Sequence, residues 1–166
     1  MRIEAITTPR LTLEPLAVEH AAEMAEALGD PALHEFVGGS PATAEELRAR
    51  YARMIAGPPP GGDDAWLNWV VRLERAAGHL QATVTSGRAT LAWVVGTPWQ
   101  GRGIATEAAR AAVAWLGERG VTAFAAMIHP GHTASSAVAR HLGLVPTAER
   151  VDGEVVWRSP RGPAAT

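Results

Sequence analysis

The stretch LTLEPL (Leu11–Leu16) alternates apolar and polar residues, a period of two that predicts a half-buried strand. The period then changes. From Val18 to Leu28, Ala21, Met24, Ala25 and Leu28 recur at helical spacing, and Gly29-Asp30-Pro31 stops the run. Thr43 and Glu46 have capping-box spacing, and Leu47, Tyr51, Met54 and Ile55 give the helix behind them one apolar stripe. GPPPGGDD (Gly57–Asp64) can only be a connection. Alternation returns in Trp66–Glu74, where Leu67, Trp69, Val71 and Leu73 share a face. His79–Ser86 and Arg88–Val95 read as two more strands turning at Ser86-Gly87.

An alanine-rich helical pattern follows from about Gly103 to Glu118, then a strand over Val121–Ile128. Thr133–Leu142 is a short helix stopped by Gly143, a residue suited to a left-handed cap. Val145–Arg150 and Glu154–Arg158 form a terminal hairpin around Asp152-Gly153. The predicted order is β α α β β β α β α β β. It describes an α/β (α+β) domain over residues 1–160, with 161–166 as a frayed tail.

Composition narrows the function classes. A length of 166 residues favours one domain with a real core. The net charge of −2 forces no basic patch, so nucleic acid is not an expected partner. All 15 basic residues are arginine. The absence of lysine excludes a P-loop, whose Gly-Lys-Ser/Thr needs one. The absence of cysteine excludes disulfides, thiolate catalysis and Cys-ligated zinc. No signal peptide or membrane-length apolar run appears, so the expectation is a cytoplasmic protein without a membrane partner.

The richest segment is VVGTPWQGRGIATEAARAAV (Val94–Val113). A strand, a helix and a second strand make a β-α-β unit, with the helix mouth at the carboxyl end of the first strand. First-turn N–H groups lack partners within a helix, and that end of the dipole is positive. Gly101 and Gly103 let the backbone turn tightly and let a ligand approach it, and Arg102 adds a full charge. Together they describe a cradle for a phosphate or diphosphate. The dinucleotide fingerprint breaks at its last position, Thr106.

QGRGIATEA (Gln100–Ala108) resembles the acyl-CoA-binding motif of the GNAT superfamily of N-acetyltransferases, with Gln100, Gly103 and Ala105 at the signature positions. TPRLTLEPL (Thr8–Leu16) resembles the opening strand of the branch related to RimJ and RimL. HPGHTASSAVARHLGL (His129–Leu144) is similar to that branch's Pro-x-Asn-x-x-Ser segment. The resemblance implies a mixed, mostly antiparallel sheet, flanked by helices and splayed between Leu91–Val95 and Val121–Ile128. It implies acetyl-CoA as co-substrate and no metal. The pantetheine arm would pair near Trp93, Val94 and Val95. The diphosphate would rest on Gly101, Arg102, Gly103, Ile104, Ala105 and Thr106, with Gln100 and His132 as further contacts.

The implied reaction is direct attack of a primary amine on the thioester in a ternary complex. The acceptor would be a protein N-terminus, a metabolite or an antibiotic, and the chain a monomer or homodimer. The family's usual tyrosine acid is replaced by Ala139 and its usual strand glutamate by Thr90. Ser135 then becomes the candidate acid, and His129 or Glu35 the candidate base. The same two losses leave a second reading open, a CoA-binding or interaction module without catalysis. The Gly29–Thr43 loop and the Arg150–Glu154 turn should frame the entrance. Their acids, Asp30, Glu35, Asp152 and Glu154, either attract a cationic amine or are solvated loop charges. His34, His79 and His141 have no motif context and receive no role.

Overall fold

A computed structural model describes residues 1–36 and 38–160; the expected 161–166 tail lies outside the described residues. In chain order the elements are β1 (Ile6–Thr7), β2 (Thr12–Pro15), α1 (Ala21–Ala27), α2 (Ala44–Ala56), β3 (Ala65–Arg72), β4 (Ala76–Thr85) and β5 (Arg88–Val95). These are followed by α3 (Ile104–Gly117), β6 (Ala123–Ile128), α4 (Thr133–His141), β7 (Val145–Val151) and β8 (Glu154–Arg158). One sheet carries the strands in the order β1-β2-β3-β4-β5-β6-β8-β7. Every neighbouring pair is antiparallel except β5–β6, the pair that α3 joins as a crossover.

Local chemistry explains most boundaries. Thr43 Oγ1 accepts from the Glu46 amide at 3.1 Å and Glu46 Oε1 from the Thr43 amide at 3.4 Å, so α2 starts on the expected capping box. Ser86 and Gly87 both take positive φ (48° and 74°), as do Asp152 and Gly153 (50° and 81°), the arrangement that matches the twist of two-residue hairpins. Gly143 is left-handed at 80° just after α4.

Three expectations change. Residues 18–28 do not form one helix: Val18–His20 is a tight 3-10 turn, because His20 Nδ1 accepts from the Ala17 amide at 2.9 Å, and α1 begins afterwards. Ile55 leaves the apolar stripe of α2 and is half exposed in the last turn of that helix, whose buried residues are Leu47 and Tyr51. The strand β1 is an addition: its register with β2 continues the sheet by two residues.

The two sheet faces differ. Helices α3 and α4 cover one. There Leu13, Leu67, Trp69, Leu80, Ala82 and Leu91 pack on Ile104, Ala108, Ala112 and Leu116. Trp69 and Trp115 meet edge to face with centroids 5.6 Å apart, a favoured aromatic geometry. Helices α1 and α2 cover the other face, where Met24, Leu47, Tyr51 and Val70 form a smaller cluster toward β2 and β3. Beyond that cluster the same face of the central strands turns polar, with Asn68 opposite Gln81, Thr83 opposite Thr90, and His79 between Val70 and Val94. A helix-covered face lined by polar groups cannot close on itself without leaving them unsatisfied. A chamber remains there.

Candidate active site at the splayed strands

The parallel pairing of β5 and β6 covers only Arg88–Leu91 against Ala123–Ala126. Both strands continue, β5 to Val95 and β6 to Ile128. Each is held by its other neighbour: Ala92–Val95 by Gln81–Gly78 of β4, and Met127–Ile128 by Val156–Val155 of β8. Gly78 is part of that hold, because a Cβ there would collide with the Val94 carbonyl. The two carboxyl ends therefore diverge, and the edge of Ala92–Val95 that faces β6 keeps its backbone groups free of a ladder partner.

The loop after β5 leads to the start of α3. Gly101 and Gly103 take φ of 74° and 75°, values that a side chain disfavours. Gly103 is the N-cap and contributes no side-chain cap. Among the described residues, the amides of Gly101, Arg102, Gly103, Ile104, Ala105 and Thr106 have no acceptor from the chain; the first amide to find one is Glu107, on the Gly103 carbonyl at 3.0 Å. Gln100 Nε2 donates to the Val95 carbonyl at 3.1 Å and ties the loop to the strand tip.

An acid lies beside this cradle. Glu107 accepts from Thr8 Oγ1 at 2.6 Å, from Arg10 Nε at 2.7 Å and from the Arg10 amide at 3.2 Å, while an Arg10 guanidinium nitrogen donates to the Arg102 carbonyl at 2.9 Å. Burial works against the Glu107 charge, but the bonds from Thr8 and Arg10 outweigh it and hold the carboxyl below its ordinary range. Arg10 thus neutralises the acid nearest the cradle and pins the loop from outside.

A cavity of about 580 Å³ passes through the sheet at the divergence. Its lining includes His79, Gln81 and Thr90 from the α1/α2 face, and Trp93, Ile128 and Ser135 from the other. Arg50 and Tyr51 roof it from α2. His79 Nε2 and Asn68 Oδ1 are 3.2 Å apart. Asn68 is 4% exposed and is the buried polar residue of the described chain. Burial, with a smaller contribution from the Arg50 charge, lowers His79 to about 4, so its ring is neutral at ordinary pH.

His132 and Ser135 form a second arrangement at the start of α4. The Ser135 amide donates to His132 Nδ1 at 3.3 Å, and Ser135 Oγ is 3.1 Å from His132 Nε2. An amide can only donate, so Nδ1 is the acceptor and the neutral ring carries its proton on Nε2. Nε2–H then donates to Ser135 Oγ, which frees the serine's own hydrogen for another partner. Burial, then the neighbouring His129, lowers His132, with Glu35 opposing, which favours that neutral ring. Phe36 stacks on His132 with centroids 4.6 Å apart and tilts against His129 at 5.1 Å.

Of the residues expected to carry catalysis, Ser135 and His129 line the cavity, and Glu35 is exposed outside its lining. His129 Nδ1 accepts from the Gly131 amide at 2.9 Å, so its neutral ring offers a donor, Nε2–H, rather than a free lone pair. Of the entrance acids, Asp30 caps the turn after α1 through the Ala32 amide at 2.9 Å, and Glu154 lines the cavity. Sequence reasoning missed Arg10, Asn68 and His79. The last two had a signal: His79, Gln81 and Thr83 are polar at alternate positions of one strand, and Asn68 interrupts the apolar run Trp66–Val71. Among the described residues no group of three or more His, Asp or Glu is gathered to hold a metal ion, and no helix is long and apolar enough to cross a membrane.

Comparison with known proteins finds the same fold in solved acetyltransferases. RimL, a ribosomal L7/L12 α-N-protein acetyltransferase solved with coenzyme A, superposes with a TM-score of 0.76 at 19% identity, over 93% of this chain and 97% of that one. RimJ of Mycobacterium smegmatis, solved with a CoA disulfide, gives 0.75 at 19% identity, over 93% and 85%. The microcin C7 self-immunity acetyltransferase MccE, solved with acetyl-CoA and AMP, gives 0.75 at 16% identity, over 92% and 93%. At these identities the likeness establishes the fold. No curated protein sequence matches. The description "Acetyltransferase (GNAT) domain" matches residues 10–145, and with that match across most of its length the chain belongs to the GNAT acetyltransferase family.

Proposed function

We propose that this acetyltransferase moves an acetyl group from acetyl-CoA to a primary amine, a protein N-terminus or a small-molecule amine, by direct attack in a ternary complex. The observation that carries the reading is the pair of features at the carboxyl end of β5: a cavity where β5 and β6 diverge, and, on the loop that follows β5, a run of bare amides. The amides of Gly101 to Thr106 and the Arg102 charge suit a diphosphate, and the edge near Trp93, Val94 and Val95, which has no strand partner on the β6 side and only the Gln100 bond at the Val95 carbonyl, suits an amide-bearing arm. When bound, the co-substrate supplies an activated acyl carbon and a thiolate leaving group.

The chain's residues do the rest. Gln100 holds the cradle against the strand tip. Because the sheet is open to both faces, an amine can approach from the α1/α2 chamber while the arm enters between the strands. Ser135, accepting from His132, directs its hydroxyl hydrogen toward the sulfur as the acid. His132 positions Ser135 in addition to any contact with the arm. His129 presents Nε2–H to the same space.

Thiol release from acetyl-CoA across a panel of peptide N-termini and small amines tests the reading. Ser135→Ala should lower kcat about 100-fold and leave acetyl-CoA affinity unchanged. Full kcat in that variant removes the acid role; no thiol release with any amine removes the transfer reaction itself.

A further inference from the structure

The acceptor side of the cavity holds a titratable side chain that the reaction above does not use. We propose that His79, held by Asn68, accepts the amine's proton, which makes it a further catalytic residue on the α1/α2 side of the chamber; this rests on the acetyl-transfer reading.

Three observations carry it. His79 stands in register with Val94, at the level where β5 has lost β6. It is therefore one strand away from the gap, and it lines the cavity that the gap opens. Its Nε2 faces Asn68 Oδ1, which can only accept, so Nε2 bears the proton and Nδ1 has the lone pair. Among the described residues no group is bonded to Nδ1, and none of their buried side-chain nitrogens or oxygens lacks a partner, so Nδ1 is not sealed in the core and His79 lines the chamber.

The other histidines of the lining are spent or remote. His129 Nδ1 accepts from Gly131, and His132 Nδ1 from Ser135. His34 bonds the Gly38 carbonyl through Nδ1 at 3.2 Å, but it belongs to the turn after α1, off the sheet. Around His79, α2 contributes Arg50 and Tyr51, and the far wall contributes His129, His132 and Glu154. Burial, and after it Arg50, disfavours a positive charge at the ring, so His79 meets the amine in its neutral form. Asn68 is the positioning residue, holding the tautomer as a carbonyl partner holds a catalytic imidazole.

The step balances. The amine nitrogen forms the N–C bond to the acyl carbon and releases a proton to His79 Nδ1. The C–S bond breaks with its electron pair on sulfur, which takes the Ser135 proton. Chamber water returns the His79 proton to Ser135, so one amine proton ends on the thiol.

Two measurements test the assignment. In 15N-histidine NMR of the ligand-free protein, His79 should show the Nε2–H tautomer and stay unprotonated at Nδ1 from pH 8 to about 5. In kinetics, His79→Gln keeps the shape and the bond to Asn68 but has no basic atom; it should lower kcat about 100-fold and leave acetyl-CoA affinity within about two-fold. His79→Ala should regain at least about ten-fold of its lost rate on addition of imidazole, which a purely structural role would not allow. His34→Gln should stay near wild type. An Nδ1–H tautomer, or full kcat in His79→Gln, overturns the assignment while acetyl transfer stands. A wild-type protein that turns over no amine overturns both.

Discussion

Helices α2 and α3 begin in opposite ways. At α2 the chain satisfies itself: Thr43 and Glu46 exchange side-chain bonds for amides, and the first turn presents nothing to a ligand. At α3 the cap is a left-handed glycine without a side chain, and the amides from Gly101 to Thr106 are bare. Both starts carry acids. Those of α2 complement the dipole directly, whereas Glu107 of α3 is drawn aside by Arg10 and Thr8. A capping box stabilises a helix by about 1 kcal/mol, so an uncapped start is a cost that binding must offset. The contrast separates amides satisfied within the chain from amides that the described chain leaves bare.

The largest effect should come from making α3 begin as α2 does. Aspartate tolerates a left-handed φ better than most residues, so Gly103→Asp should fold. Its carboxylate would occupy the bare amides and repel a diphosphate. Acetyl-CoA affinity should fall about 100-fold, about 2.7 kcal/mol, by calorimetry. An S-acetyl pantetheine substrate, which has no diphosphate, should notice the change far less. Equal losses for both would mean that the loop, not the anion, was affected.

Arg10→Ala comes next. It leaves Glu107 unpaired beside the cradle, and KM for acetyl-CoA should rise about ten-fold. Adding Glu107→Gln should recover part of that loss, because the exposed charge is then gone. No recovery would mean that Arg10 acts only by holding the Arg102 carbonyl.

Thr43→Ala is the matching change at α2. Stability should drop by about 1 kcal/mol in urea unfolding, with acetyl-CoA affinity unchanged. A change in affinity would blur the division between the two helix starts.

The smallest effect lies in α1. Bonds from Arg72, then from the Ala76 amide, hold Glu23 down to about 2. A depressed carboxyl contributes stability above its unfolded value of 4.5 and loses it as pH falls from there toward 2. The side chain is 38% exposed, so solvent screening limits the contribution to a few tenths of a kcal/mol. Glu23→Gln should make thermal stability slightly less pH-dependent between pH 4.5 and 2, and an unchanged acid limb would count against the pairing.

Much of the fold was legible because its signals are local. Alternation gave β3, β4 and β5, the Thr43–Glu46 spacing gave the start of α2, and Ser86-Gly87 and Asp152-Gly153 gave their hairpins. The cradle was legible for the same reason, since Gly101, Arg102 and Gly103 stand side by side. The acceptor chamber was not. Asn68 and His79 are eleven residues apart and meet only because β3 and β4 pair in one register. Arg10 and Glu107 are separated by 97 positions. Glu35 looked available in the sequence, but the turn at Pro31–His34 places Phe36 against the histidines and leaves Glu35 outside the lining.

The sequence by itself determined the elements, their turns and the glycine-rich, uncapped start of one helix. Each depends on backbone preferences and hydrogen bonds within a few residues. Only the tertiary structure decided where β5 leaves β6, which nitrogen of each lining histidine is bonded, and that one cavity is lined from both faces of the sheet. Those properties arise from strand registers and from contacts between distant segments, and hydrophobic periodicity carries no record of either.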